Sequence, residues 1–192
     1  MKKFIVLSLF CAFTFKIQAQ TELKINPLGL LFSSPDLSAE FGVAENIGIE
    51  PFIGVSFLKL TVDGDGFKSN GLGYGVNGKY YFNPDKGIDK FYAGIYMRGG
   101  NSKYTGQGSN SGDSFSHNYF GMGLSLGYKW VSRQNIVFDL GGGIGRKFLS
   151  KYSDASSSNV NVSSIPLLNI DAFFRFGVGY RFGGGSDGSR RK

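Results

Sequence analysis

The residues that could do chemistry in this chain are few, and most are charges set into alternating stretches. Lys24, Glu40, Glu50, Lys79, Arg98, Lys129, Asp139, Asp171 and Arg175 each sit where polar and apolar residues take turns, and each falls on the polar side. Four acids and five bases facing one space allow two readings. One is a path for protons or ions. The other is a set of interlocked ion pairs, because charges removed from water must be paired or heavily hydrogen-bonded. The near balance of signs favours the interlocked set. The only histidine, His117, stands beside Ser116. Asp63-Gly64-Asp65-Gly66 puts oxygen ligands on alternate residues, as a calcium loop does, but Phe67 takes the next ligand position and no bidentate Glu follows. That stretch reads as an acidic turn. Asn161-Val162-Ser163 fits a glycosylation triplet, a pattern common by chance. No catalytic residue, no metal site and no cofactor is expected.

The elements that must position these charges are strands. Residues 168–182 alternate without a break, with Leu168, Ile170, Phe174, Phe176, Tyr180 and Phe182 against Asn169, Asp171, Arg175, Gly177, Gly179 and Arg181. A period of two puts the two sets on opposite faces. The same pattern recurs upstream. Residues 71–82 set Leu72, Tyr74, Val76, Tyr80 and Phe82 against Gly71, Gly73, Gly75, Asn77 and Lys79. Residues 119–131 set Phe120, Met122, Leu124, Leu126, Tyr128 and Trp130 against Gly121, Gly123, Ser125, Gly127 and Lys129. Residues 37–44, 47–60, 90–98 and 136–148 behave alike. Residues 22–32 alternate more weakly, since Pro27 and Gly29 interrupt them, as at a strand edge or bulge. No helical period occurs after Gln20.

Eight strands result, and their connections alternate in kind. Residues 45–46, 83–89 and 132–135 are short turns. Residues 62–70, 105–118 and 153–164 read as longer polar loops; 33–36 is a short exception.

The totals agree with a single domain. The chain has 192 residues, of which 30 are Gly and one is Cys, with 16% aromatic and 18% charged residues. Residues 1–19 read as a secretory signal peptide: Lys2 and Lys3 precede an apolar run too short to span a membrane as a helix, ending in Ala19. Cys11 lies inside it, so the mature chain has no thiol for catalysis or a disulfide. Three of the cations behind the formal charge of +7 leave with that segment, and Arg190, Arg191 and Lys192 sit in a Gly/Ser tail. No basic stripe remains, so nucleic acid is not an expected partner. The divisions are 1–19, signal peptide; 20–182, barrel; and 183–192, a flexible periplasmic tail.

The two faces also sort by size. An eight-stranded barrel has an interior just wide enough for side chains to fill it. Gly, Ser and the charges fit there; the aromatic set does not. A soluble barrel would bury those aromatics and leave Gly-rich faces to water, where glycine weakens a strand. Tyr80, Phe82, Phe91, Tyr128, Trp130, Tyr180 and Phe182 all fall on the bulky face near one set of strand ends, as in an aromatic girdle. The expected fold is all-β: an eight-stranded antiparallel transmembrane up-and-down β-barrel, preceded by a cleaved signal peptide.

The mature chain resembles small eight-stranded outer-membrane barrels of the OmpA/OmpX type. Its end resembles their C-terminal assembly signal (polar, any, Gly, any, any, aromatic, any, aromatic), with Arg175, Gly177, Tyr180 and Phe182 in the fixed positions, although ten residues follow Phe182. The resemblance implies a Gram-negative outer membrane, export by signal peptide, insertion by the barrel-assembly machinery, and contact with outer-membrane lipid and lipopolysaccharide. Some such barrels are enzymes acting on lipid A. A deacylase barrel has a Ser two residues after its His, but here that residue is Tyr119, and no Glu follows Glu50. A palmitoyl-transferase barrel has an early His before an Asp-Ser pair, whereas Asp113-Ser114 precedes His117. His117 is therefore expected to be a loop residue near lipid head groups, and the protein not an enzyme. The expected role is structural or surface-binding, carried by the extracellular loops, with the lumen plugged by charge. A narrow channel is the alternative.

Overall fold

The computed structural model describes residues 20–62, 65–107, 114–154, 159–161 and 169–183. The signal segment, most of the C-terminal tail and the tips of the three long connections lie outside the described residues. The strands are β1 (Thr21–Ile25), β2 (Asp36–Ala44), β3 (Ile47–Val62), β4 (Asp65–Tyr81), β5 (Lys90–Gln107), β6 (Ser114–Val131), β7 (Ile136–Asp154), β8 (Asn159–Asn161) and β9 (Ile170–Phe182). Each pairs antiparallel with its neighbour. The ring closes because β9 pairs with both β7 and β1, for example Leu140↔Phe176 and Leu23↔Tyr180. β8 continues the same edge of β7 beyond β9, through Tyr152↔Val160. Eight staves thus form one up-and-down barrel.

The alternation read from the sequence sets the two faces. In β6 the residues with odd numbers turn inward and those with even numbers outward, so Ser125 and Lys129 are buried while Leu124 is 66% exposed and Trp130 51%. β9 repeats the pattern, with Asp171 and Arg181 buried and Phe174 66% exposed. The barrel is therefore inside-out relative to a soluble protein. Its interior holds charges, and its exterior carries Leu, Ile, Phe and Tyr.

Three expectations need correction. Where described, the connections at 62–70, 105–118 and 153–164 are strand, at 62, 65–70, 105–107, 114–118, 153–154 and 159–161. The β3–β4 ladder keeps an unbroken register from Ile47↔Tyr80 to Val62↔Asp65, and β5 pairs with β6 as far as Thr105↔Ser114. Composition rich in Gly, Ser and Asn looked like loop, but the ladder continues there, with Tyr104 stacked on its register partner Phe115 at 4.6 Å. Second, the first segment is not one strand. After β1 the chain makes a helical turn, α1 (Pro27–Leu31). Asn26 caps it by accepting from the Gly29 N–H at 3.2 Å, and Pro27 supplies the preset φ of a first helical residue. One turn is too short to show a helical period. Third, residues 83–89 are more than a turn. They fold under the barrel and bury Ile88 against Tyr81 and Tyr92. Gln20 holds them there, accepting from the Ile88 N–H at 3.1 Å and donating to the Lys86 carbonyl at 3.1 Å.

At that same end the aromatic residues gather as expected. Tyr80 meets Phe82, Phe82 meets Phe91, Tyr128 meets Trp130 and Tyr180 meets Phe182, all with ring centroids 4.6 to 5.6 Å apart.

Candidate functional site: the charged lumen and the cavity above it

All nine charges singled out from the sequence face the lumen, and they form layers. Lowest, nearest the termini, Glu22 accepts from Arg181 at 2.6 Å and from Lys129 at 2.8 Å. Above it, the Lys24 ammonium sits among Glu40 (2.6 Å), Asp139 (2.6 Å) and Glu50 (2.8 Å). Lys79 reaches Glu50 at 2.6 Å and Asp139 at 2.8 Å, and Lys129 reaches Glu40 at 2.8 Å. Tyr81 donates to Glu40 at 2.5 Å and Tyr92 to Asp139 at 2.9 Å. The same rings face the cations, Lys79 over Tyr92 and Lys129 over Tyr81. Each charge in this layer meets opposite charge and hydrogen-bond partners, which is what burial of ions demands.

Higher up, Arg175 joins Glu50 at 3.0 Å to Asp36 at 2.8 Å. Higher still, Arg98 grips Asp171 with two parallel bonds of 2.8 and 2.6 Å, and Tyr96 donates to the same carboxylate at 3.0 Å. Phe173 stands edge-on to Tyr96 at 4.9 Å. The glycines of β6 and β7 make room for these rings. A Cβ on Gly141 would collide with the Tyr92 hydroxyl, and one on Gly143 would fall 2.8 Å from the Tyr96 ring.

Carboxylate oxygens of Glu40, Glu50 and Asp139 lie within 4.8 Å of one another, a spacing a cation could use. Lys24 and Lys79 contact all three residues, so that negative charge is already met by ammonium groups.

Several members of the network were not singled out from the sequence, among them Glu22, Arg181, Asp36 and Tyr81. Parity alone would have found them, since Glu22 shares it with Lys24, Arg181 with Arg175, Asp36 with Glu40, and Tyr81 with Lys79. His117 also departs from expectation. It is not in a loop but inside β6, buried, with Nε2 3.0 Å from the Ser150 hydroxyl and its ring stacked on Tyr152 at 4.2 Å. Its odd number puts it on the lumen face with Gly121 and Ser125. Of the residues read as resembling an assembly signal, Gly177 faces inward, Arg175 is part of the network, and Tyr180 and Phe182 face outward.

Above the charged layer lies a cavity of about 440 Å³, bordered by Asn77, Arg98, Ser102, Tyr119, Phe173 and α1.

The family described as "Protein of unknown function (DUF3575)" matches residues 4–164. The chain belongs to this family. No curated protein matches it. Among solved structures it is similar to a major outer membrane protein from Thermus thermophilus, with a TM-score of 0.51 at 13% identity, over 85% of this chain and 99% of that one. At that identity the likeness bears on fold, and it supports the barrel architecture.

Proposed function

We propose that this chain is an integral outer-membrane β-barrel that does not conduct, and that its role is structural or surface-binding, exercised at the end away from its termini. The membrane reading is supported by the exterior. Large apolar side chains cover it on every stave, and in water a surface of that kind would aggregate. With no helix long and apolar enough to cross a membrane among the described residues, a closed sheet is the form that satisfies every backbone group in lipid. The similar Thermus protein is described as an outer membrane protein, and that supports the same location.

Burial of the charged layer is the observation that supports the rest. Glu22, Lys24, Glu40, Glu50, Lys79 and Lys129 are each 2% exposed or less, and Ile88 seals the mouth beneath them at 1%. A water or ion path through that layer would have to part several ion pairs at once. Lipid, lipopolysaccharide and the barrel-assembly machinery are the expected partners. Enzyme work is not proposed, because Ser150, the hydroxyl within reach of His117, is itself 1% exposed.

Planar-bilayer recording of the purified protein tests this. The expected trace is flat at physiological salt, for the native chain and for Arg175→Ala, which removes one charge above the main layer. Discrete conductance steps from the native protein would displace the plug in favour of a narrow channel.

Assembly is tested separately. Tyr180→Ala with Phe182→Ala strips two outward aromatics from the closing strand and from the assembly signal. The amount of heat-modifiable barrel in the outer membrane should fall while export continues. Normal yield would refute the role given to those positions.

A further inference from the structure

The barrel wall is incomplete on one side. β9 pairs with β7 along Ile170 to Tyr180, but with β1 only from Val178 to Phe182. Among the described residues, no strand pairs with 170–177 on the side of β1. β1 stops at Ile25, and α1 stands where its continuation would run, touching β9. A helical turn cannot extend a strand ladder. It is fastened through polar groups: Asn26 donates to Asp36 at 2.7 Å, and Asp36 in turn accepts from Arg175. The turn and the residue after it read Pro-Leu-Gly-Leu-Leu-Phe, without a charge, and Leu30, Leu31 and Phe32 are 58, 77 and 74% exposed.

The cavity reaches this break. Its lining includes Leu28 and Phe32 from the α1 region and Phe174, which belongs to the outward set of β9. On this side the cavity borders α1 and β9 instead of a paired strand, so the helical turn stands between it and the exterior. Its lining changes in character, from Asn77, Ser102 and Tyr119 inside to Leu28, Phe32 and Phe174 beside the break. The ionised groups around it are Asp36, Glu50 and Asp139 against Lys79, Arg98 and Arg175, so they carry no net charge. A volume of this order is that of a small-molecule site.

We propose that the barrel opens sideways at this notch, and that the cavity takes the uncharged or zwitterionic head group of a single-chain amphiphile whose acyl chain stays in the surrounding lipid. The proposal rests on the membrane reading above. The polar interior suits a head group, the apolar rim suits the first part of a chain, and balanced charge gives no advantage to a net anion. Loss of one stave leaves its neighbours roughly 10 Å apart, and α1 takes part of that width, so one chain fits better than two.

Gly73 gives a clean variant. A Cβ there meets only the Tyr119 hydroxyl, at 3.7 Å, so Gly73→Leu fills the cavity without backbone collision. Gly78→Leu is the control, on the outward face, where a Cβ meets only the Ile95 carbonyl at 3.9 Å. The probe is lysophosphatidylcholine with a nitroxide on its chain, in phosphatidylcholine nanodiscs holding one barrel each. The native protein and Gly78→Leu should give a motionally restricted spectral component that saturates at one probe per barrel. Gly73→Leu should weaken that binding by about tenfold or more. No saturable component in the native protein, or one unchanged in Gly73→Leu, overturns the proposal. Equally tight binding of nitroxide-labelled stearate would overturn the choice of head group. Failure of the membrane reading looks different, since the protein would then not enter nanodiscs as a β-rich barrel.

Discussion

Replacing Lys24 with methionine should destabilise the folded barrel by about 3–5 kcal/mol, the cost of stranding buried charge. Lys24 is the centre of the lumen network. Its ammonium lies within 2.8 Å of Glu40, Glu50 and Asp139, and its side chain is 1% exposed. Methionine keeps most of the volume, so the loss is electrostatic rather than a cavity. Three carboxylates, each 5% exposed or less, would then share Lys79, Lys129 and Arg175. Adding Asp139→Asn to Lys24→Met removes one stranded charge and should restore part of the loss, a coupling that a double-mutant cycle reads directly. The measurement is the urea midpoint of the heat-modifiable band in detergent. An unchanged midpoint for Lys24→Met would mean that the lumen is wet and the pairs are screened.

The second large effect lies on the opposite face of the wall. Leu124→Arg should cost about 2–4 kcal/mol in a bilayer, the penalty for a cation near the hydrocarbon midplane on a barrel's outer surface. Leu124 is 66% exposed and six residues from Trp130 in the girdle, roughly 15 Å along the membrane normal for a tilted strand. In a barrel standing in water the same change, at an exposed site, would cost almost nothing. Reversible unfolding in phospholipid vesicles distinguishes the two, and a loss below about 0.5 kcal/mol would place that face in water.

How far the molecule was legible in its sequence follows from what each feature depends on. Strand number, direction and facing were legible because they rest on a period of two, and Lys24, Lys79, Lys129 and Asp139 share a lumen simply because they share a parity within their strands. Glu22 has that parity too, but it opens the weakly alternating 22–32 segment; Arg181 stood on the polar side of 168–182, where neither its partner Glu22 nor its depth could be read from that segment alone. The extent of β4 to β7 was hidden by composition, since Gly, Ser and Asn in 62–70 and 105–118 name a loop unless the partner strand is known. α1 was hidden by its length. Tyr92 and Tyr96 were readable as inward, yet their fit opposite Gly141 and Gly143 depends on register between strands, which no single segment encodes. His117 was misplaced for a related reason: its polar neighbours suggested a loop, while its parity already put it on the lumen face.

The central claim is that the bulky face meets lipid and the charged face closes the lumen. Nitroxides placed one at a time at positions 122, 124, 125 and 126 of β6, in barrels reconstituted into vesicles, test it most directly. Collision with oxygen, which concentrates in hydrocarbon, should be high at Met122, Leu124 and Leu126 and low at Ser125, with a water-soluble nickel chelate reaching none of the four. High chelate access at the even positions, or oxygen access without a period of two, would contradict the account.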